Sequence, residues 1–164
     1  LSPTLPGAIE IIDVGTRQYL LNDGAFVAAT SGTEMKVRMQ NIGDALFAQS
    51  GGFFVMETSG TGQVVVSGFG SMFQLEVASG KDIIIDNSHV VCWDSALHYE
   101  VSVTTGSAGR GISGMVGNLV NSFKSGEGIV LRFSGAGKVF VCSRNRDAFV
   151  QWMKKEVSGT KSGR

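Results

Sequence analysis

A chain of 164 residues with 43% hydrophobic side chains is long enough for one cored domain, or two small repeats, and too apolar to be disordered. Its 14 basic side chains balance 14 acidic ones, which argues against non-specific nucleic-acid binding, because such domains carry an excess of positive charge. Cys92 and Cys142, the only cysteines, form no CxxC and have no His/Cys partner set, so neither a zinc site nor a disulfide scaffold is expected.

No apolar run approaches the roughly 20 residues that cross a bilayer. The opening LSPTLPGAIE lacks the basic and apolar regions of a signal peptide, and a start at Leu1 leaves room for an upstream repeat or targeting segment. Short apolar runs then alternate with Gly and Asn/Asp turns. Strands are predicted at 8–14, 18–21, 26–29, 34–40, 45–49, 53–58 and 63–67. Others follow at 72–77, 82–85, 89–93, 99–104, 129–133 and 138–142. No strand–helix–strand rhythm is present, which disfavours a parallel α/β sheet. The glycine-rich segment 106–128 has an apolar centre, where Met115, Leu119 and Phe123 fall on one face of a short helix. A C-terminal helix is predicted over 145–157. Asn145 serves as its N-cap, and Phe149, Trp152 and Met153 form a stripe to pack on the sheet. Residues 158–164 are expected to be a disordered tail.

Internal similarity is the most informative feature. FVMETSGTGQVVVSG from Phe54 aligns with IVLRFSGAGKVFVCS from Ile129 through a shared SGxGxVxV core. IEIIDVGTRQYLLNDGAFVAAT from Ile9 aligns without gaps with FQLEVASGKDIIIDNSHVVCWD from Phe73. The offsets are 75 and 64, so the second half needs an insertion, and the glycine-rich segment can supply it. The expected architecture is an all-β, duplicated antiparallel β-sandwich: one domain, 1–157, whose repeats (about 1–70 and 71–143) share a core.

Reactive side chains concentrate in IIIDNSHVVCWD, residues 83–94, with Asp86, His89, Cys92, Trp93 and Asp94. Its counterpart YLLNDGAFVAAT has no His, Cys or Trp. What the copies share is an apolar strand, an Asx-rich turn and a second apolar strand, which reads as a hairpin. No catalytic, cofactor-binding or metal-ligating residue is therefore assigned, and no cofactor. An enzyme would need His89, Cys92, Asp94 or Asp86 gathered with another polar group in one pocket. Residues 109–114 satisfy GxGxxG and Glu127 follows, but without a βαβ unit the motif reads as a glycine loop. Ser59, Ser134 and Ser143 lie in no nucleophile motif, and His98 is structural. Arg144, Arg146, Lys154 and Lys155 read as a solvated helix face, with an acidic partner as the alternative.

Several blocks in fixed order resemble the altered-inheritance-of-mitochondria (AIM) family. They are PGAIEIIDV, LLNDGAFVAAT, the run from Ser59 to HYEV, SGEGIVLRFSGAGKVFVCSRN and DAFVQWM. The resemblance implies a fold similar to the trp RNA-binding attenuation protein, present in repeated copies (TRAP-like). It implies a non-enzymatic scaffold or assembly role through protein contacts, linked to mitochondrial or membrane organisation. Expected partners are further copies of the chain or other proteins, with peripheral membrane association open and no strong nucleic-acid signal. Localisation would be mitochondrial in a eukaryote and cytoplasmic in a bacterium. The alternative is a small-ligand or RNA-binding module on the same β-sandwich.

Overall fold

The structure is a computed structural model that describes residues 2–3, 5–40, 53–103 and 129–159. The strand expected at 45–49, the helix at 115–123 and the GxGxxG loop lie outside the described residues. Twelve antiparallel strands are described. They are β1 (Gly7–Val14), β2 (Tyr19–Leu21), β3 (Phe26–Ala29), β4 (Thr33–Gln40), β5 (Phe53–Gly60) and β6 (Gly62–Phe69), then β7 (Met72–Val77), β8 (Ile83–Asp86), β9 (Val90–Asp94), β10 (His98–Val103), β11 (Ile129–Ser134) and β12 (Gly137–Cys142). One helix, α1 (Arg146–Gly159), follows. Among the described residues the fold is all-β with one α-helix, at the C-terminal end.

The strands form sheets ordered β1-β6-β3, β10-β11-β8 and β4-β5-β2-β9-β12-β7. In the first half, β1 and β3 flank β6, and β4 and β2 flank β5. In the second half, β7 and β9 flank β12, and β10 and β8 flank β11. The pairing scheme of strands seven to twelve is thus that of strands one to six. A single cross-pair, β2 with β9, joins the two sets into the six-stranded sheet.

That junction decides which residues are buried. Both faces of the six-stranded sheet are covered at its centre, so β2 and β9 are buried at every position rather than alternately. Two cores result where one shared core was expected. Ile12, Val14, Leu21, Val64, Val66, Cys92 and Phe140 fill the first. Leu20, Val55, Trp93, Leu131, Phe133 and Val139 fill the second. Each core draws on both halves because the central sheet does.

Registers match as well. On β3, Phe26 and Ala28 oppose the adjacent Val66 and Val65, so Val27 is an extra residue, a β-bulge. On β9, Val90 and Cys92 oppose the adjacent Val141 and Phe140, which makes Val91 the bulge. The bulge sits at the same step of the same pairing. Elsewhere one correction is needed. Val14 opposes Gly62 and Val77 opposes Gly137, so β1 and β7 correspond one residue away from the ungapped sequence match.

The shared Ser-Gly-x-Gly is a corner where the chain leaves one sheet for another. β5 belongs to the six-stranded sheet and β6 to a three-stranded one, and β11 and β12 are split likewise. Gly60 (φ +86°) and Gly135 (φ +107°) take left-handed conformations there. A Cβ on Gly60 would stand 2.3 Å from the Gly32 carbonyl oxygen, so only glycine fits.

In α1, Asn145 caps as expected, its Oδ1 accepting from the Ala148 amide at 2.9 Å. The apolar stripe does not pack as expected. Phe149 meets Phe69 at 5.2 Å between centroids, but Trp152 is 57% exposed and Met153 45%. One aromatic contact anchors the helix, and the rest of the stripe finds no cover among the described residues. Ser158 and Gly159, expected in the tail, continue the helix.

Candidate functional site

The reactive residues of 83–94 separate in the fold. The Asp86 carboxylate accepts from the Ser88 amide at 2.9 Å and caps a 3₁₀ turn, Asn87–His89. The segment is therefore no hairpin: β8 pairs with β11, while β9 pairs with β12 and β2. A turn between different sheets needs no primed hairpin geometry, and an Asx-capped 3₁₀ turn serves. His89 lies in that turn rather than on a strand. Its Nδ1 is 2.8 Å from the Cys142 carbonyl oxygen, which can only accept, so the proton is on Nδ1.

The bulge at Val91 then breaks the alternation that sequence alone predicts. Val91 and Cys92 both enter the first core, and Val90 and Trp93 enter the second. Burial pushes the Cys92 and Cys142 thiols up, which makes poor nucleophiles of them. Trp93 stacks edge-on to Tyr99 (5.0 Å) and Phe133 (5.5 Å). Asp94 is buried against Arg17, with Nη1 and Oδ2 at 2.7 Å, and its Oδ1 accepts from the Ala96 amide. His89, Cys92 and Asp94 form no mutual hydrogen bond among the described residues, nor does any cluster of three His, Cys, Asp or Glu side chains there suit a metal ion.

The other candidates are equally dispersed. His98 faces Glu100 at 3.6 Å, with both side chains exposed. The Ser143 hydroxyl accepts from the Ser71 amide, and Ser59 is half-buried with no hydrogen-bond partner for its hydroxyl among the described residues. Lys154 and Lys155 are exposed.

A cleft of about 650 Å³ does gather polar groups, at residues that the sequence offered only as turn formers. It lies where the two halves meet. Asn22, the buried corner between β2 and β3, sends its amide nitrogen to the carbonyl oxygens of Asn87 (3.0 Å) and Val90 (3.0 Å), and to Asn87 Oδ1 (3.1 Å). Asn145 Nδ2 donates to Ser88 Oγ at 2.7 Å, tying the start of α1 to the 3₁₀ turn. Apolar walls come from Phe26 and Phe69, and Arg144 lies over the Phe69 ring at 5.6 Å. Arg144 and Arg146 were expected on a solvated helix face; both line this cleft. The Asx residues at both corners were the available signal, but only the β2–β9 junction brings them together.

Comparison with known proteins places this architecture. The chain is 36% identical over 155 residues to an uncharacterised protein of Streptococcus pyogenes serotype M6, covering 94% of this chain and 57% of that one. It superposes on the crystal structure of the Streptococcus pyogenes protein SPYM3_0169 with a TM-score of 0.74 and 34% identity, covering 94% of this chain and 62% of that chain. The chain thus spans less than two thirds of the length of either relative. Residues 1–144 match the mitochondrial biogenesis AIM24 family, and the chain belongs to that family.

Proposed function

We propose that the protein is a non-enzymatic assembly module, and that its contacts are made by sheet edges. The observation that carries this is the asymmetry of the junction. β2 of the first half pairs with β9 of the second, and these strands hold different places in the shared pairing scheme. The interface is head-to-tail, so among the described residues it leaves one strand of each kind open. β3, the counterpart of β9, ends the β1-β6-β3 sheet, and β8, the counterpart of β2, ends the β10-β11-β8 sheet. β8 carries IIID with Ile84 66% exposed, and an apolar edge of this kind invites pairing. The partner is a further β unit of the same kind, whether from a second chain or from the additional length of the relatives. The link to mitochondrial or membrane organisation rests on the family description alone.

Light scattering across a concentration series tests the assembly. Mass should rise in multiples of 17.3 kDa. Ile84→Lys should shift the distribution toward monomer without lowering the melting temperature. A clean monomer at every concentration, with no pairing when a second β unit from a relative is added, would sink the proposal.

A further inference from the structure

We infer that the cleft between the two halves is a binding site for a small amphipathic anion: a molecule with an apolar body and a carboxylate or phosphate head. This goes beyond assembly, and the two readings fail independently. Volume comes first. About 650 Å³ lies within the range of small-molecule sites, and junctions between structural units are where such sites occur.

The cleft is also preformed. The Asn22 side chain is buried and fully engaged, with three acceptors on its nitrogen and the Asp23 amide on its oxygen at 3.0 Å. The opposite rim is held by the chain Asp86–Ser88–Asn145, bonded end to end. A floor locked in this way loses little entropy on binding.

Its chemistry is sided. Phe26, 37% exposed although aromatic, and Phe69 offer an apolar wall. Beside that wall Arg144 lies over the Phe69 ring, and Asp23 is the one carboxylate that lines the cleft among the described residues. Arg144 forms no ion pair with a carboxylate among the described residues. Its recorded contact is with the Phe69 ring, which leaves its fork of N–H donors free for an oxyanion. Arg146 also lines the cleft, its Nη1 3.8 Å from where a Cβ on Gly24 would lie. An apolar wall beside a guanidinium matches a molecule whose tail and charged head are adjacent, and disfavours a cation or a bare inorganic ion.

Isothermal titration of the full chain with octanoate, octyl phosphate, octylamine and inorganic phosphate tests the inference. At least one of the first two should saturate one-to-one, and which of them binds tighter distinguishes a carboxylate from a phosphate head. Octylamine should not bind, and inorganic phosphate should bind much more weakly than octyl phosphate. Arg144→Gln should weaken the anion about tenfold, one lost charge-assisted hydrogen bond, with the melting temperature unchanged. Phe26→Ala gives a second route, weakening the alkyl anions and leaving inorganic phosphate unaffected. The inference is overturned by equal binding of octylamine, by unchanged affinity in Arg144→Gln, or by no saturation up to about 10 mM. Inorganic phosphate binding as tightly as octyl phosphate would overturn the apolar half of it.

Discussion

β3 and β9 occupy the same step of the same pairing scheme, carry a bulge at the same place, and close with the same turn. Thr33 N donates to the Thr30 carbonyl at 2.9 Å after β3, and Leu97 N donates to the Asp94 carbonyl at 3.0 Å after β9. Yet β3 is an edge with no buried position, while β9 is buried at all five of its residues. The difference lies in what each strand meets on its far side. β9 receives β2 and a core on each face, so it takes large and polarisable side chains, and its terminal Asp94 needs a counter-ion. β3 receives no strand on that side among the described residues, and FVAA suffices. The concentration of Cys, Trp and Asp on β9 thus follows its position in the assembly of sheets.

Removing Trp93 should break this contrast most severely. Trp93→Ala empties the centre of the second core, where the ring is fully buried, and is expected to cost about 3–5 kcal/mol in urea unfolding. Trp93→Phe should cost much less, because the indole N–H has no hydrogen-bond partner among the described residues and its loss orphans nothing. On β3, Phe26→Ala removes a ring already partly in water and should cost about 1 kcal/mol. Equal losses at Trp93 and Phe26 would mean that the two strands are not distinguished by burial.

Much of the fold was legible because strand signals are local. The strand 72–77 matches β7 residue for residue, and most others differ by one or two at their ends. The shared Ser-Gly-x-Gly was legible as well, since left-handed corners demand glycine wherever they fall. What sequence could not supply was which sheet each strand joins. NDG and DNS both read as hairpin turns, because a local signal for reversal carries no information about the strand's eventual partner. The bulge at Val91 was hidden for a similar reason, being a mismatch between two strands and invisible in either alone. The cleft needed all of this at once. Asn22 and Asn87 are 65 residues apart and Ser88 and Asn145 are 57 apart, and the β2–β9 and β9–β12 pairings make them neighbours.

The turn after each strand gives a finer test. Asp94→Ala deprives the Ala96 amide and the Arg17 guanidinium of their acceptor and should cost about 2 kcal/mol. Arg17→Gln should cost under about 1 kcal/mol, since its side chain is 51% exposed and water replaces much of the ion pair, though a buried Asp94 remains. At the matching place on β3, Thr30 Oγ1 accepts from the Gln63 amide near the surface and lies 3.5 Å from Thr33 Oγ1, and Thr30→Ala should cost about 1 kcal/mol. The order Asp94, then Thr30 and Arg17, is the outcome that supports burial as the distinguishing factor. A reversed order would assign the difference to the turns themselves.

The smallest effect is a dependence on alkaline pH carried by buried thiols and phenols, Cys92 and Tyr99 first, with Cys142 and Tyr19 adding to it because burial raises them as well. Burial raises the Cys92 thiol above its ordinary value of 9.0 and the Tyr99 phenol from 10.0 to about 12, Arg38 opposing the latter. Both groups are neutral when protonated, so the unfolded chain loses these protons at lower pH than the folded one. Their contribution is fully present below the unfolded values and is lost as pH rises from about 9 for the thiol, and from 10.0 toward about 12 for the phenol. Stability measured by urea unfolding should accordingly be level near neutrality and decline above pH 9. Cys92→Ala should reduce the first part of that slope and Tyr99→Phe the later part, Cys142 and Tyr19 supplying the remainder. The strand β3 and its turn carry no thiol or phenol, so Phe26→Ala should lower the whole curve and leave its shape intact. If instead the slope survives both Cys92→Ala and Tyr99→Phe unchanged, the alkaline loss belongs to other groups, Tyr19 and Cys142 first, whose pKa values burial also raises.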